Sequence, residues 1–183
     1  MRLLFVCLGN ICRSPTAEGV MAHLLHEEGL DGRIEIDSAG TGSWHVGHSP
    51  DERSTAAARE RGIELSGHAR QVDLADFEAF DLILAMDRAN YDELHGMAPD
   101  DDARERVKLL REYDPLAVEA GELEVPDPYY GGPDGFEEVL DLVTRACEGL
   151  LAEPRLNHRP EVAGGLLAQE AGDLLRAFFS ARR

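Results

Sequence analysis

The sequence LFVCLGNICRSPTAE occupies residues 4–18, and its pattern decides the predicted fold. The mainly apolar run over residues 2–6 has the length of a short buried strand. A short polar loop follows, and Ser14-Pro15 then has the pattern of a helix start, because proline fits the first turn of a helix. Apolar residues recur at helical spacing up to Gly29, so the stretch predicts a strand, a loop and a helix in succession.

Outward from this unit, strand and helix patterns alternate along the chain. Residues 34–38, 81–86 and 107–110 are predicted as further strands, and Asp87 is a candidate cap for the helix after the third strand. This alternation predicts an α/β fold, a single domain with a four-stranded parallel sheet and helices on both faces, as in flavodoxin- and Rossmann-like proteins. Ligands of such sheets bind beyond the carboxyl ends of the strands, where Cys7 falls.

The C-terminal part of the chain is predicted to hold a loop, a helix and an extension. Residues 114–133 contain four prolines and are predicted as a loop, and Pro133 opens the last helix of the body. We expect a domain of residues 1–154 and a helical extension of residues 155–183. The extension carries five arginines against three acidic residues, so docking on the acidic body is one expectation for it.

Composition narrows the class of protein. The 18 basic and 36 acidic residues give a net charge of −18, which disfavours general binding to nucleic acid or to a membrane. No apolar run approaches the roughly 18 residues that span a bilayer, and we expect a cytoplasmic protein. The three cysteines are too few for a disulfide framework and direct attention to thiol chemistry or burial, with Cys147 expected in the core.

Cys7 and Arg13 bracket the loop between the first predicted strand and helix. Backbone N–H groups at a helix N-terminus bind a tetrahedral anion, and the arginine fork can hold two phosphate oxygens at once. We expect the same positive field to favour the thiolate of Cys7, the attacking species in nucleophilic catalysis. The Ser14 hydroxyl is expected to stabilise that thiolate. The predicted phosphate-binding loop also contains Leu8, Gly9, Asn10, Ile11 and Cys12.

A plainer interpretation competes with a catalytic loop. A cysteine at the end of a buried strand is usually inert packing, and Cys-x5-Arg alone arises often by chance. The strand before the loop, the Ser-Pro helix start after it and Gly9-Asn10 inside it favour the phosphate site. The histidines show no carboxylate or thiol spacing typical of a metal site, so we expect neither a metal nor another cofactor.

Residues 4–18 closely resemble the low-molecular-weight protein tyrosine phosphatases. The resemblance extends over residues 1–152, in order and spacing, through residues 37–41, 67–70, 86–87 and 127–130. It implies that Cys7 attacks phosphorus and that Arg13 binds the equatorial oxygens. It also implies that Asp127 protonates the leaving phenolate and then activates water. Without Cys7, Asp127 would be interpreted as a turn residue of a proline-rich loop.

The resemblance implies further roles for residues around the loop. Asn10, Ser38 and His68 would form a buried polar network that holds the loop in shape. Cys12 would form a reversible disulfide with Cys7 under oxidation, although simple packing of Cys12 in the loop is an equally good interpretation.

The substrate expected from the resemblance is a phosphotyrosine-containing protein or a small aryl phosphate. Ile11 keeps the pocket wall apolar, and Trp44, Tyr129 and Tyr130 would line the rim of a slot that a phenyl ring reaches. A core position for Trp44 is the alternative, but its glycine-rich polar setting favours the rim. The sequence is compatible with a monomer or a weak dimer.

Three other functions use the same fold or loop. Arsenate reductases require two further cysteines near the third strand, and the sequence has none between Cys12 and Cys147. Protein-arginine phosphatases typically carry threonine where Ile11 stands. A phosphate-binding module without catalysis is disfavoured, because a nucleophile, an arginine and an acid are all present.

Overall fold

The computed structural model describes residues 1–129 and 132–153, and four parallel strands form its centre. β1 (Arg2–Cys7) pairs with β2 (Glu35–Gly40) on one side and with β3 (Leu82–Ala85) on the other. β4 (Val107–Leu109) pairs with β3, so the strand order is β2-β1-β3-β4. The predicted α/β fold with a four-stranded parallel sheet is therefore confirmed.

Helices cover both faces of this sheet. Successive side chains of a strand point to opposite faces, and in β1 both sets are buried: Leu3 and Phe5 join one apolar cluster, and Leu4 and Val6 join the other. The helices are α1 (Arg13–Glu27), α2 (Glu52–Glu60), α3 (Asp76–Ala79), α4 (Arg88–Met97), α5 (Asp101–Glu105), α6 (Pro115–Ala120) and α7 (Pro133–Ala152), with a 3-10 turn at Leu110–Tyr113.

The prediction of an unbroken loop over residues 114–133 is wrong at its start, because α6 lies there. The Asp114 side chain caps this helix by accepting from the Leu116 N–H at 3.1 Å. Pro115 occupies the first turn, and Gly121 ends the helix with φ of 73°. These are ordinary start and stop signals of a helix, but the high proline content of the segment masked them. The last helix does begin at Pro133, as predicted.

The extension predicted for residues 155–183 lies outside the described residues, as does Tyr130. The division into residues 1–154 and 155–183, and the docking of the extension, stay predictions. Among the helices of the described part, none is both long and apolar enough to cross a membrane.

The sheet topology places a site at the carboxyl end of β1. The chain leaves β1 toward β2 on one side, and β3 lies on the other side, so neighbouring connections diverge at this point. Cys7 is the last residue of β1, and Asp87 follows shortly after β3. Side chains distant in sequence therefore meet at this edge.

Candidate active site

The predicted phosphate-binding loop, residues 7–14 and called the phosphate loop below, folds back on the Cys7 sulfur. Cys7 is buried, and its Sγ accepts from the Asn10 N–H at 3.2 Å. The Ser14 Oγ lies 3.0 Å from the same sulfur and 3.2 Å from the Ala39 carbonyl oxygen. The single hydroxyl proton of Ser14 thus has two acceptors, and it turns to the sulfur when Cys7 is a thiolate, because a charged acceptor binds it more strongly.

Asn10 holds the loop in an unusual backbone conformation. Its φ of 53° is positive, a region that costs non-glycine residues roughly 1–2 kcal/mol and that asparagine tolerates best. The side-chain amide donates to Ser14 Oγ at 2.9 Å and to Ser38 Oγ at 2.8 Å. Its oxygen accepts from the Arg70 N–H at 2.9 Å. These three bonds hold the strained residue in place.

Glu18 extends this network away from the sulfur. The Ser38 hydroxyl donates to Glu18 Oε2 at 2.6 Å. Burial raises the pKa of Glu18 above its ordinary value, although the hydrogen bond from Ser38 acts in the opposite direction. A continuous chain of hydrogen bonds therefore runs from Glu18 through Ser38, Asn10 and Ser14 to Cys7.

The prediction that His68 belongs to the buried network is wrong. His68 is exposed and only borders a small polar cavity of about 50 Å³ beside Asn10 and Ser38. The main-chain N–H of Arg70 fills the place at the Asn10 oxygen, while the Arg70 guanidinium binds Asp37 at 2.8 Å. The resemblance implied a buried polar side chain at position 68, but a motif does not show which side chain of a loop points inward.

Arg13 begins α1 and is held by two carboxylates. Its Nη1 donates to Asp87 Oδ2 at 2.5 Å and to the Val125 carbonyl at 3.2 Å, and its Nη2 donates to Asp127 Oδ2 at 3.0 Å. Burial opposes the charge of Arg13, but the charges of Cys7, Asp127 and Asp87 hold its pKa above the ordinary value. Arg13 therefore stays charged beside the sulfur.

Asp87 has a second role that the sequence did not reveal. As predicted, it caps the following helix, because its Oδ1 accepts from the Asn90 N–H at 2.8 Å. Its other oxygen binds Arg13. The sequence position of Asp87 could have indicated this second contact. Asp87 follows a strand adjacent to β1, so its side chain lies at the same edge of the sheet as the phosphate loop.

A cleft of about 380 Å³ opens over the phosphate loop. Trp44 lines it and is 70% exposed, and its ring lies against Gly42, where a Cβ would come within 1.2 Å of the ring. His45, which the sequence analysis did not assign to the site, lies on the same rim, while Tyr130 falls outside the described residues. The residues that line the cleft are Leu8, Gly9, Ile11, Cys12, Trp44, His45, Asp127 and Tyr129.

The other two thiols differ from Cys7 in their surroundings. Burial raises the pKa of the Cys12 thiol to about 12, so Cys12 is neutral near pH 7. Cys147 is fully buried in the core, as expected, and burial raises its pKa as well. The reversible disulfide between Cys7 and Cys12 stays a prediction.

A metal centre is not apparent in the described part of the chain. Within residues 1–129 and 132–153, no group of three or more His, Cys, Asp or Glu side chains is placed to hold a metal ion. The groups positioned around the Cys7 sulfur are an arginine, a carboxylate and hydrogen-bond donors.

Comparison with known proteins identifies the family. The family model of the low molecular weight phosphotyrosine protein phosphatases matches residues 2–159. The chain belongs to this family. A low molecular weight protein-tyrosine-phosphatase of Streptomyces coelicolor is 48% identical over 154 residues, which cover 84% of this chain and 93% of that protein. The family inferred from residues 4–18 is therefore confirmed.

Solved structures of the low molecular weight phosphatase fold agree with this assignment. A protein tyrosine phosphatase from Entamoeba histolytica has a TM-score of 0.81 and 40% identity, covering 86% of this chain and 99% of its own. An arginine phosphatase of Drosophila has a TM-score of 0.77 and 32% identity, covering 88% and 99%. Proteins with this fold are thus named both as tyrosine phosphatases and as an arginine phosphatase.

Replacing Asn10 tests the network that shapes the phosphate loop. Asn10→Ala removes the three side-chain bonds and leaves alanine at positive φ, whereas Asn10→Gly removes the bonds but relieves the backbone strain. We expect both variants to bind inorganic phosphate about tenfold more weakly, equivalent to ~1.4 kcal/mol, measured by titration calorimetry. We expect both variants to lose thermal stability, and Asn10→Ala to lose more because alanine is also strained at positive φ. Wild-type phosphate affinity in Asn10→Gly would show that the side-chain bonds are dispensable.

Proposed function

We propose that this protein hydrolyses phosphotyrosine in proteins, or small aryl phosphates, through a cysteinyl-phosphate intermediate. One observation carries the proposal: Asp127 lies 114 positions after Arg13 in the sequence and binds its guanidinium at the rim of the Cys7 loop. The proposed nucleophile Cys7, the cation Arg13 and the proposed acid Asp127 therefore lie at the same edge of the sheet. The active-site residues of the proposal are Cys7, Arg13 and Asp127.

Binding of the phosphate requires an exchange of partners at Arg13. Nη1 is anchored by Asp87 and by the Val125 carbonyl, whereas among the described residues Nη2 is held by the partly exposed Asp127 alone. A phosphate oxygen therefore replaces Asp127 at Nη2 and leaves the anchor intact. The displaced carboxyl group becomes available to the leaving oxygen of the substrate.

In the first chemical step, the Cys7 thiolate attacks phosphorus. The sulfur–phosphorus bond forms while the bond from phosphorus to the phenolic oxygen breaks. The Asp127 carboxyl group gives its proton to that oxygen, so the leaving group departs as a neutral phenol. Arg13 and the N–H groups of the loop neutralise the charge on the phosphoryl oxygens.

In the second step, water attacks the phosphocysteine. Asp127, now a carboxylate, takes a proton from the water as its oxygen bonds to phosphorus. The sulfur–phosphorus bond breaks, and the Cys7 thiolate is regenerated with inorganic phosphate as product. The Ser14 hydroxyl, 3.0 Å from Sγ, stabilises that thiolate as a leaving group.

The cleft supports an aryl substrate. Ile11 and Trp44 give it apolar walls, and Tyr129 and Asp127 also line it. A phenyl ring packs between such groups, while the phosphate reaches the loop beneath. A cytoplasmic location is part of the proposal, because the three cysteines are all free thiols, as is usual in a reducing compartment.

Removal of the proposed acid Asp127 tests the two-step mechanism, provided that a poor and a good leaving group are compared. Tyrosine is a poor leaving group, with a phenol pKa near 10 in solution, whereas p-nitrophenolate departs without a proton. We expect Asp127→Ala to lower kcat for a phosphotyrosine peptide roughly 10²–10⁴-fold and to lower it less for p-nitrophenyl phosphate. Phosphocysteine should then accumulate with the second substrate, detectable by mass spectrometry.

The matched control for this experiment is Cys7→Ser. It leaves the acid in place and removes the nucleophile, so we expect no phosphoenzyme on sulfur and no turnover. Equal rates in wild type and Cys7→Ser would contradict the covalent mechanism, whatever the effect of Asp127→Ala.

Phosphoarginine is the second candidate substrate, because a Drosophila arginine phosphatase shares the fold. Ile11 lines the cleft, where an apolar side chain favours a phenyl ring over a polar guanidinium. An arsenate reductase is disfavoured, because such an enzyme passes a disulfide between accessible cysteines, and Cys147 is fully buried in the core.

We expect wild type to hydrolyse a phosphotyrosine peptide with at least about tenfold higher kcat/KM than the corresponding phosphoarginine peptide. Ile11→Thr should narrow this ratio, because its hydroxyl can hydrogen-bond a polar group, and Ile11→Val serves as the apolar control. A wild-type preference for phosphoarginine would reverse the assignment of the substrate.

A further inference from the structure

An imidazole lies on the rim of the cleft with its polar edge toward the phosphate loop. A Cβ built on Gly9 would lie 3.0 Å from His45 Cδ2 and 3.8 Å from His45 Nε2, so this edge faces the loop. The ring contacts the rings of His48 at 5.5 Å and Tyr129 at 6.5 Å between centroids. Neither ring nitrogen of His45 has a hydrogen bond to another residue in the described part of the chain. His45 is half-buried and lines the cleft, so its ring can reach a molecule bound there.

Imidazole and guanidinium groups lie at the mouth of the cleft. The chain has a net charge of −18, yet His48 lies against His45, and the Arg53 guanidinium stacks on Tyr129 at 5.3 Å. Arg53 is paired with Asp51, and Asp127 is paired with Arg13 until a phosphate displaces it. The imidazoles of His45 and His48 therefore offer N–H donors to an acidic side chain at this rim.

We propose that His45 makes the enzyme select phosphotyrosines that have an acidic side chain immediately next to them in the sequence. This inference rests on the proposed function and specifies its substrate class. A phosphotyrosine ring in the cleft has its backbone at the rim, so the neighbouring side chain of the substrate falls beside His45 and His48. The carboxylate accepts a hydrogen bond from the imidazole and, when the imidazole is protonated, pairs with its charge.

The selectivity depends on pH in a defined direction. A protonated imidazole attracts a carboxylate more strongly than a neutral one, so lowering the pH favours the glutamate peptide as long as its glutamate is ionised. Among the described residues, the titratable groups that share the cleft lining or a ring contact with His45 are Cys12, Asp127, Tyr129 and His48. Their effects on the chemical steps act on every phosphotyrosine substrate, so they cancel when two peptides are compared at one pH.

The experiment uses phosphotyrosine peptides that differ only in a glutamate or a glutamine next to the phosphotyrosine, in one pair before it and in another after it. The measured quantity is the ratio of kcat/KM for the glutamate peptide to that for the glutamine peptide. At pH 7.5 the overall negative charge opposes the glutamate peptide. For at least one pair we expect the ratio to rise about two- to fivefold at pH 5.5, the range of exposed ion pairs.

Two variants assign the effect to His45. His45→Gln should lose most of the rise in the ratio. His26→Gln, which removes an imidazole at the last turn of α1, should behave as wild type, because α1 of 15 residues places it about 20 Å from the phosphate loop. Each variant removes one imidazole from the protein, so a difference between the two variants assigns the effect to the position of His45.

The possible failures can be told apart. If wild type hydrolyses the peptides but neither ratio rises between pH 7.5 and pH 5.5, the selectivity is overturned while the proposed function stands. The same holds if His45→Gln retains the rise, or if it slows both peptides of a pair equally. If no phosphotyrosine peptide is hydrolysed faster than by Cys7→Ser, the proposed function itself fails.

Discussion

The guanidinium of Arg13 is the point at which the three parts of the site meet. Arg13 is the first residue of the helix that follows β1. Its guanidinium binds Asp87, which follows β3, and also binds Val125 and Asp127 on a third segment. A buried charge is tolerated only when it is paired, and removing one partner of a buried pair costs roughly 3–5 kcal/mol. The position of the loop that carries Asp127 therefore depends on Arg13, as does the field that acts on Cys7.

The contacts around Cys7 divide into a fixed side and an exchangeable side. Asn10 and Ser38 belong to the fixed side, where buried hydrogen bonds hold the strained loop and lead to Glu18. Asp127 belongs to the exchangeable side, because its side chain is 42% exposed. Catalysis by the proposed mechanism needs both, since the loop must be formed before phosphate arrives while the acid must move to the leaving group.

Local patterns predicted most of this structure, and long-range contacts account for what they missed. The strand, loop and helix around Cys7 follow from neighbours in sequence, and so does the capping role of Asp87. The bond from Asp87 to Arg13 spans 74 positions and depends on the register of β3 against β1, which no local pattern contains. The burial of His68 was predicted wrongly because a motif identifies a residue but not the direction of its side chain. His68 is exposed, and the Arg70 N–H donates to the Asn10 side chain.

A crystal structure with vanadate in the site tests directly whether Cys7 is the nucleophile and whether Arg13 exchanges Asp127 for a phosphate oxygen. Vanadate adopts the geometry of the phosphoryl group in transfer, so the account predicts a bond from vanadium to Cys7 Sγ. It also predicts that Arg13 Nη1 remains on Asp87 while Nη2 has left Asp127 for a vanadate oxygen. A structure in which vanadate binds away from Cys7, or in which Asp127 keeps its bond to Arg13 beside bound vanadate, would contradict the account.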